Sequence, residues 1–299
     1  MCRGGLGADR LFTCNQTLPT PTPQPQPIPQ PQPLPLANGL SAGFSHSCAV
    51  DALGIVTCWG DNGEGQSSPP NDTFLQVSNG YLHTCGLAGD GSIKCWGRDE
   101  NDRTEAPPGQ YIQVSSGFGH GCAVGIDHAL TCWGFDLYGQ ATPPEGSFVE
   151  VAVGDHHACA IRVEDDTVAC WGQNQAGQAT APGGRFSRLD ASTYHTCGLR
   201  TDATIVCWGR AFPGGTQPPS DPMVAVATRL SHGCAIRANQ NVTCWGANTS
   251  GQASPPSGTF TQLAAGQART CGVRTDATII CWGANGAGQA LAPGGSFAS

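Results

Sequence analysis

The tripeptide Cys-Trp-Gly occurs seven times, beginning at Cys58, Cys95, Cys132, Cys170, Cys207, Cys244 and Cys281, and this repetition constrains the fold more than any other feature. Successive copies lie 37, 37, 38, 37, 37 and 37 residues apart and contain all seven tryptophans. Upstream of each stands a second cysteine: Cys48, Cys85, Cys122, Cys159, Cys197, Cys234 and Cys271. The gap is ten residues in six repeats and eleven in the fourth. Units this short cannot bury a core alone, so neighbouring units must cover one another.

The second repeat shows the local structure. Its apolar residues flank Gly89-Asp90-Gly91, which is hairpin-turn chemistry. Centring the hairpin on Asp90 sets Leu87 opposite Ile93 and Cys85 opposite Cys95. Opposed residues in antiparallel strands lie about 4.5–5.5 Å apart at Cα, within disulfide range. The extra residue of the fourth repeat fits within its turn around Glu164-Asp165-Asp166. One cross-strand disulfide per repeat is predicted, each closing a loop of about eleven residues and contributing about 2–3 kcal/mol on the chain-entropy account. After Trp-Gly comes a polar loop, often ending in Gly-Gln as at Gly65-Gln66 and Gly251-Gln252. A proline turn such as Pro69-Pro70 follows, then an aromatic-led strand such as Phe74-Leu-Gln-Val77.

The Gly-x-x-His-x-Cys-Ala/Gly run, the Asp-Gly hairpin and the Cys-Trp-Gly ending together resemble the regulator of chromosome condensation repeat superfamily in its short bacterial-type form. The resemblance runs from Ala37 to Ser299 and implies an all-β, seven-bladed β-propeller, as in the type II β-lactamase inhibitory protein. Phe297 occupies the repeat position of Ala37, so the two chain ends are expected to share one blade and leave no open sheet edge. The expected organisation is residues 1–18 as an N-terminal segment, 19–36 as a proline-rich tail and 37–299 as the propeller.

Sixteen cysteines point to an oxidising, extracellular compartment. Cys2 and Cys14 remain once seven bridges form; they pair with each other or with another molecule. Asn15, Asn71, Asn241 and Asn248 open N-x-Ser/Thr sequons, and Thr20 and Thr22 are candidates for O-linked glycan. Residues 1–12 lack the apolar centre of a signal peptide, so either numbering starts after processing or an upstream segment is missing. No apolar run approaches the roughly 20 residues of a membrane span. Net charge is −8 and Lys94 is the one lysine, which argues against nucleic acid as a partner.

Six repeats place a histidine two residues before the first cysteine: His46, His83, His120, His157, His195 and His232, with Arg269 in the seventh. A ring of imidazoles could bind metal or sense pH. The structural alternative, a hydrogen bond from each imidazole to backbone between blades, suits a position repeated around the ring. Zinc sites favour cysteines two to four residues apart, unlike these. The tryptophans are expected in packing between blades. No nucleophile motif or phosphate loop is present, so a non-catalytic protein without cofactor or metal is expected. Repeats two and five depart from the pattern, at Arg98 to Arg103 and at Arg210-Ala-Phe212, making Arg98, Arg103, Arg210 and Phe212 interaction candidates.

Every odd position from Pro19 to Pro35 is proline, which forbids helix and ladder pairing and leaves a polyproline II tail. Residues 37–166 hold 17 acidic and 4 basic side chains, a balance of −13; residues 167–299 hold 4 and 8, a balance of +4. A closed ring would set these halves on opposite flanks. The leading functional expectation is an extracellular structural subunit that joins copies of itself head to tail through its tail and charged flanks, even into a filament or fibril. A secreted module binding a protein or glycan is the alternative. Guanine-nucleotide exchange, known for nuclear members of the superfamily, fits the acidity and disulfides poorly. Alkylation without reductant, read by intact-mass spectrometry, is expected to find no free thiol in repeat positions; seven or more labelled cysteines would refute the pairing.

Overall fold

The computed structural model describes residues 39–213 and 217–297. Cys2, Cys14, Asn15, Thr20, Thr22 and the proline-rich segment lie outside the described residues. The chain divides into units Met1–Leu34 and Pro35–Ser299, and the propeller belongs to the second.

Seven three-stranded antiparallel sheets follow one another along the chain. Blade one contains β1 (Leu40–Ala42), β2 (His46–Val50) and β3 (Val56–Gly60); blade two contains β4 (Phe74–Asn79), β5 (His83–Ala88) and β6 (Ile93–Gly97). The other five blades repeat this inner, middle, outer order. Middle and outer strands set their cysteines directly opposite each other, as in Cys85↔Cys95. All seven disulfides are present, with Cα atoms 4.0 Å apart, including Cys159–Cys170 across its longer turn. Asp90 shapes its hairpin by accepting from the Ser92 amide at 2.9 Å and hydroxyl at 2.6 Å.

The ring closes within blade one. Phe297 bridges to Asp51, one repeat before the Phe74↔Ala88 pair, and is buried with Leu40, Trp59 and Val273. Leu40 pairs with Ala49 on β2 and Phe297 with Asp51 just beyond it, so the first and last blades of the described residues join there. The hydrophobic core is divided into seven clusters, each joining two adjacent blades; Val50 and Val56 of blade one pack on Phe74 and Val77 of blade two. A single blade buries almost nothing within itself, so stability resides at the junctions.

Polar contacts repeat at these junctions. The loop glutamine is fixed by its own side chain, as when Gln66 Oε1 accepts the Glu64 amide at 2.8 Å. Its carbonyl then accepts the indole of the next blade, at 3.0 Å for Trp96, and the Thr84 hydroxyl at 3.0 Å. Because the threonine proton is spent there, the 2.8 Å contact from His46 Nε2 must be a donated imidazole N–H. His157–Thr196, His195–Thr228 and His232–Thr270 form at 2.7, 2.7 and 2.9 Å. The histidines thus bond a side-chain hydroxyl of the next blade, and not the backbone that the sequence suggested. A threonine one residue past the next histidine position, which is Arg269 in blade seven, supplies three of the four hydroxyls; Thr228 comes from an inner strand. His83 and His120 face blades with Gly121 and Ala158 at that position, and neither ring nitrogen finds a protein partner. Burial pushes these imidazoles down, to about 3 for His46, His83 and His120 and to about 4 for His157, His195 and His232. Such depression favours the neutral ring at physiological pH, which argues against pH sensing there.

At the closing junction Arg269 takes the histidine's place and reaches Ser47 of blade one at 2.9 Å and the carbonyl oxygens of Phe44 and His46 at 3.0 and 2.5 Å. The glycine of the Gly-x-x-His motif also has a physical reason. A Cβ on Gly117 would lie 2.0 Å from the Gly154 carbonyl oxygen of the next blade, so the inner strands approach too closely for any side chain.

One junction carries a buried acid. Gln76 and Gln113 each clamp the next inner strand through both amide groups, Gln113 giving to Val151 O at 2.8 Å and accepting from Val151 N at 2.7 Å. Glu150 holds this place in blade four and accepts from Leu189 N at 2.6 Å, but a carboxylate has no proton for the neighbouring carbonyl. Burial outweighs Arg188 and lifts Glu150 to about 7; Asp190, also buried, rises to about 7. The folded state then binds more protons than the unfolded chain between Glu150's ordinary 4.5 and about 7. Stability falls as pH rises through that window, by about 3 kcal/mol for Glu150 alone. Glu150→Gln is expected to match the wild type at pH 5, melt higher at pH 8 and show a flatter profile; parallel melting profiles would contradict this.

Candidate binding face

Two sets of loops meet on one face. After each Cys-Trp-Gly, the next amide donates to the carbonyl of the residue preceding the histidine position, from Asp61 N to Ser45 O at 3.0 Å round to Ala284 N to Ala268 O at 2.8 Å. The inner-to-middle loops and the loops leaving the outer strands are thereby tied together in all seven blades. The middle-to-outer hairpins occupy the opposite face, where Val50 N meets Gly39 O at 2.6 Å.

The tied face differs from blade to blade. Two residues before each histidine position stand Phe44, Tyr81, Phe118, Asp155, Thr193, Leu230 and Gln267. Phe44 and Tyr81 lie 4.3 Å apart between ring centroids, Tyr81 and Phe118 4.5 Å, and Phe118 and His156 5.4 Å. Phe135 and Tyr138 extend the run from His156 at 6.0 and 5.6 Å. The result is an unbroken, half-exposed aromatic arc across blades one to four, edged by Leu137 at 70% exposure. Burial lowers the His156 pKa, against a smaller upward pull from Asp155, so the arc is uncharged. Beside it Arg229 reaches from blade six to Asp155 in blade four at 3.1 Å, and Thr193 gives a second bond to that carboxylate at 2.7 Å. Tyr194 carries Arg210 5.5 Å above its ring, next to Gln173, Gln175 and Gln178. Blades six and seven offer Ser231, Ala247, Ala268 and Ala284 at the matching places.

Sequence reasoning missed Phe44, Tyr81 and Phe118, although they occupy the variable position inside an otherwise regular motif. Among its own candidates, exposed Arg210 lies on this face, and Arg98 is exposed and paired with Glu100 at 3.0 Å. Two candidates are corrected. Arg103 is buried in the place of the missing loop glutamine, held to Glu100 O at 2.7 Å, and its carbonyl accepts Trp133 at 3.0 Å. Phe212 is buried between blades five and six, 4.4 Å from His195 and 6.0 Å from Trp245. Asn71 and Asn241 are exposed; the Asn248 side chain braces its own loop through Ser254 and Ala253 at 2.8 and 2.9 Å. Among the described residues no three His, Cys, Asp or Glu side chains converge as metal ligands would.

The family model described as Regulator of chromosome condensation (RCC1) repeat matches residues 39–66, 74–103, 148–178, 225–252 and 260–289. The chain carries RCC1 repeats at these five places. The RCC1-repeat propeller is similar to the CRINKLY ectodomain of the Arabidopsis thaliana receptor kinase ACR4, with TM-score 0.71 and 25% identity over 82% of this chain and 94% of that one. The ectodomain of the Physcomitrella patens receptor kinase CR4 is also similar, with TM-score 0.71 and 23% identity over 82% and 73%. Yeast RCC1 (Prp20), in its crystal structure with Kap60, shares the fold with TM-score 0.68 and 12% identity over 88% and 84%. No curated protein sequence matches the chain. Blades three and five fall outside the matched segments, yet both keep the strand order and disulfide of the RCC1-repeat propeller.

The division between scaffold and face can be measured. Phe212→Ala is expected to cost about 3–5 kcal/mol in denaturant unfolding, and Phe118→Ala less than about 1.5. The reverse order would place Phe118 in the core.

Proposed function

We propose that the chain is a non-catalytic extracellular propeller that holds a protein partner against the aromatic arc. The supporting observation is the arc itself: contiguous, uncharged aromatic residues, half-exposed, on loops that are rigidly tied. Aromatic side chains are the characteristic anchors of protein interfaces, and partial exposure on a rigid scaffold lowers the entropy cost of binding. The seven disulfides and the likeness to two receptor-kinase ectodomains support an extracellular setting. His46, Glu150 and Asp190 are engaged in contacts between blades, which supports a binding role over a catalytic one.

A second reading, assembly with copies of the chain, draws on the charge division of −13 against +4. Both readings place recognition on surfaces, and a glycan ligand would use the same aromatic platform.

Immobilised wild-type chain and its Tyr81→Ala/Phe118→Ala variant can be exposed to extracellular fluid of the source, with retained proteins quantified by mass spectrometry. A partner depleted at least tenfold on the variant, about 1.4 kcal/mol, is expected. Equal retention would sink the arc as the binding site.

A further inference from the structure

We propose that the aromatic arc receives the proline-rich segment, residues 19–36, of a second copy of this chain. The inference rests on the arc being a binding site and names its occupant. Three observations on different parts of the molecule carry it.

The first is chemical fit. Residues 19–36 contain proline at nine alternating positions, with Ile28, Leu34 and Leu36 between them and no charged side chain. Proline-rich segments of this kind dock on aromatic-lined surfaces, because fixed φ angles have already removed much of the entropy that binding would cost. The arc offers Phe44, Tyr81, Phe118 and His156 as a continuous aromatic surface. Their rings are tilted 39–51° from one another, which gives it a ridged profile. An uncharged ligand loses little on leaving water for an uncharged surface.

The second is where the segment is attached. The register Leu40↔Ala49 and Ala42↔Ser47 runs β1 from the hairpin face toward the aromatic face, so the chain enters the propeller at Gly39, at the end away from Phe44. Only Ala37 and Asn38 separate Gly39 from the last residue of the segment. The segment is therefore joined to the propeller at the end of β1 away from its own arc. Residues 19–35, extended at 3.1 Å each, span about 50 Å, long enough to reach a neighbour.

The third is closure. A contact between the tail of one copy and the arc of the next uses two different surfaces. Such a heterologous contact leaves a free tail at one end of every open assembly and a free arc at the other, so it propagates until the rotation closes a ring.

Light scattering after size exclusion, on the full chain over a hundredfold range of concentration, tests this with two variants. One disables the arc (Tyr81→Ala/Phe118→Ala); the other disables the segment (Pro25→Gly/Pro27→Gly/Pro29→Gly/Pro31→Gly) and leaves every propeller residue intact. Wild type is expected to associate progressively with concentration, and each variant alone to need at least tenfold higher concentration. Mixing the two variants is expected to give a one-to-one dimer and nothing larger, because one contributes the only working tail and the other the only working arc. A wild type that is monomeric throughout overturns the proposal, as does association unaffected by the segment variant. If self-association fails while the arc variant still loses an extracellular partner, the occupant is wrong and the binding site stands. If the arc variant loses neither, both fall.

Discussion

At six of the seven junctions the structure depends on one backbone carbonyl, that of the loop residue at the Gln66 position; the indole of Trp245 is the exception. It lies beyond the Cys-Trp-Gly ending and accepts the indole of the following blade, so it decides how far apart two blades sit and at what angle. Where threonine follows the histidine, the same oxygen takes a hydroxyl, and the hydroxyl takes the imidazole of the preceding blade. The loop glutamine, the tryptophan, the threonine and the histidine are distant in sequence and converge within a few ångströms. Around this contact the apolar side chains of two blades close over each other, which is why the core is seven seams and no single centre.

Much of this was legible in the residues. Cysteine spacing gave the hairpin register, and the Asp-Gly turns gave its centre, because both are local geometry. The correspondence of Phe297 with the start of the first repeat anticipated closure, since a circular permutation of a periodic sequence shows at its ends. Repetition reports what every blade must have, and therefore describes the scaffold. It is silent about residues that differ between blades and meet only in space. Phe44 and Tyr81 are a full repeat apart in the chain and touch because inner strands crowd round the axis. Departures from the pattern misled for the same reason: Arg103 and Phe212 look free in sequence, yet they fill junction positions that other blades fill differently.

The face and the scaffold are chemically independent. Histidines at the junctions are held neutral by burial, the disulfides sit within blades, and the closing arginine bonds carbonyls and a serine. Loop residues at the variable positions can therefore change without disturbing the contacts that set blade geometry. Five such positions bear Phe, Tyr, Phe, Asp and Thr in succession, a range of chemistry that the constant frame tolerates.

Because every bridge among the described residues ties two strands of the same blade and none ties one blade to the next, a propeller stretched by its ends would yield at the seams. Loss of the bridge from Phe297 to Asp51 would open the circle and let blades peel away singly. Each stapled hairpin withholds its ten-residue loop from the pull, so a blade pays out a shorter length than its repeat contains. The near-constant repeat length would divide such an extension into nearly equal steps.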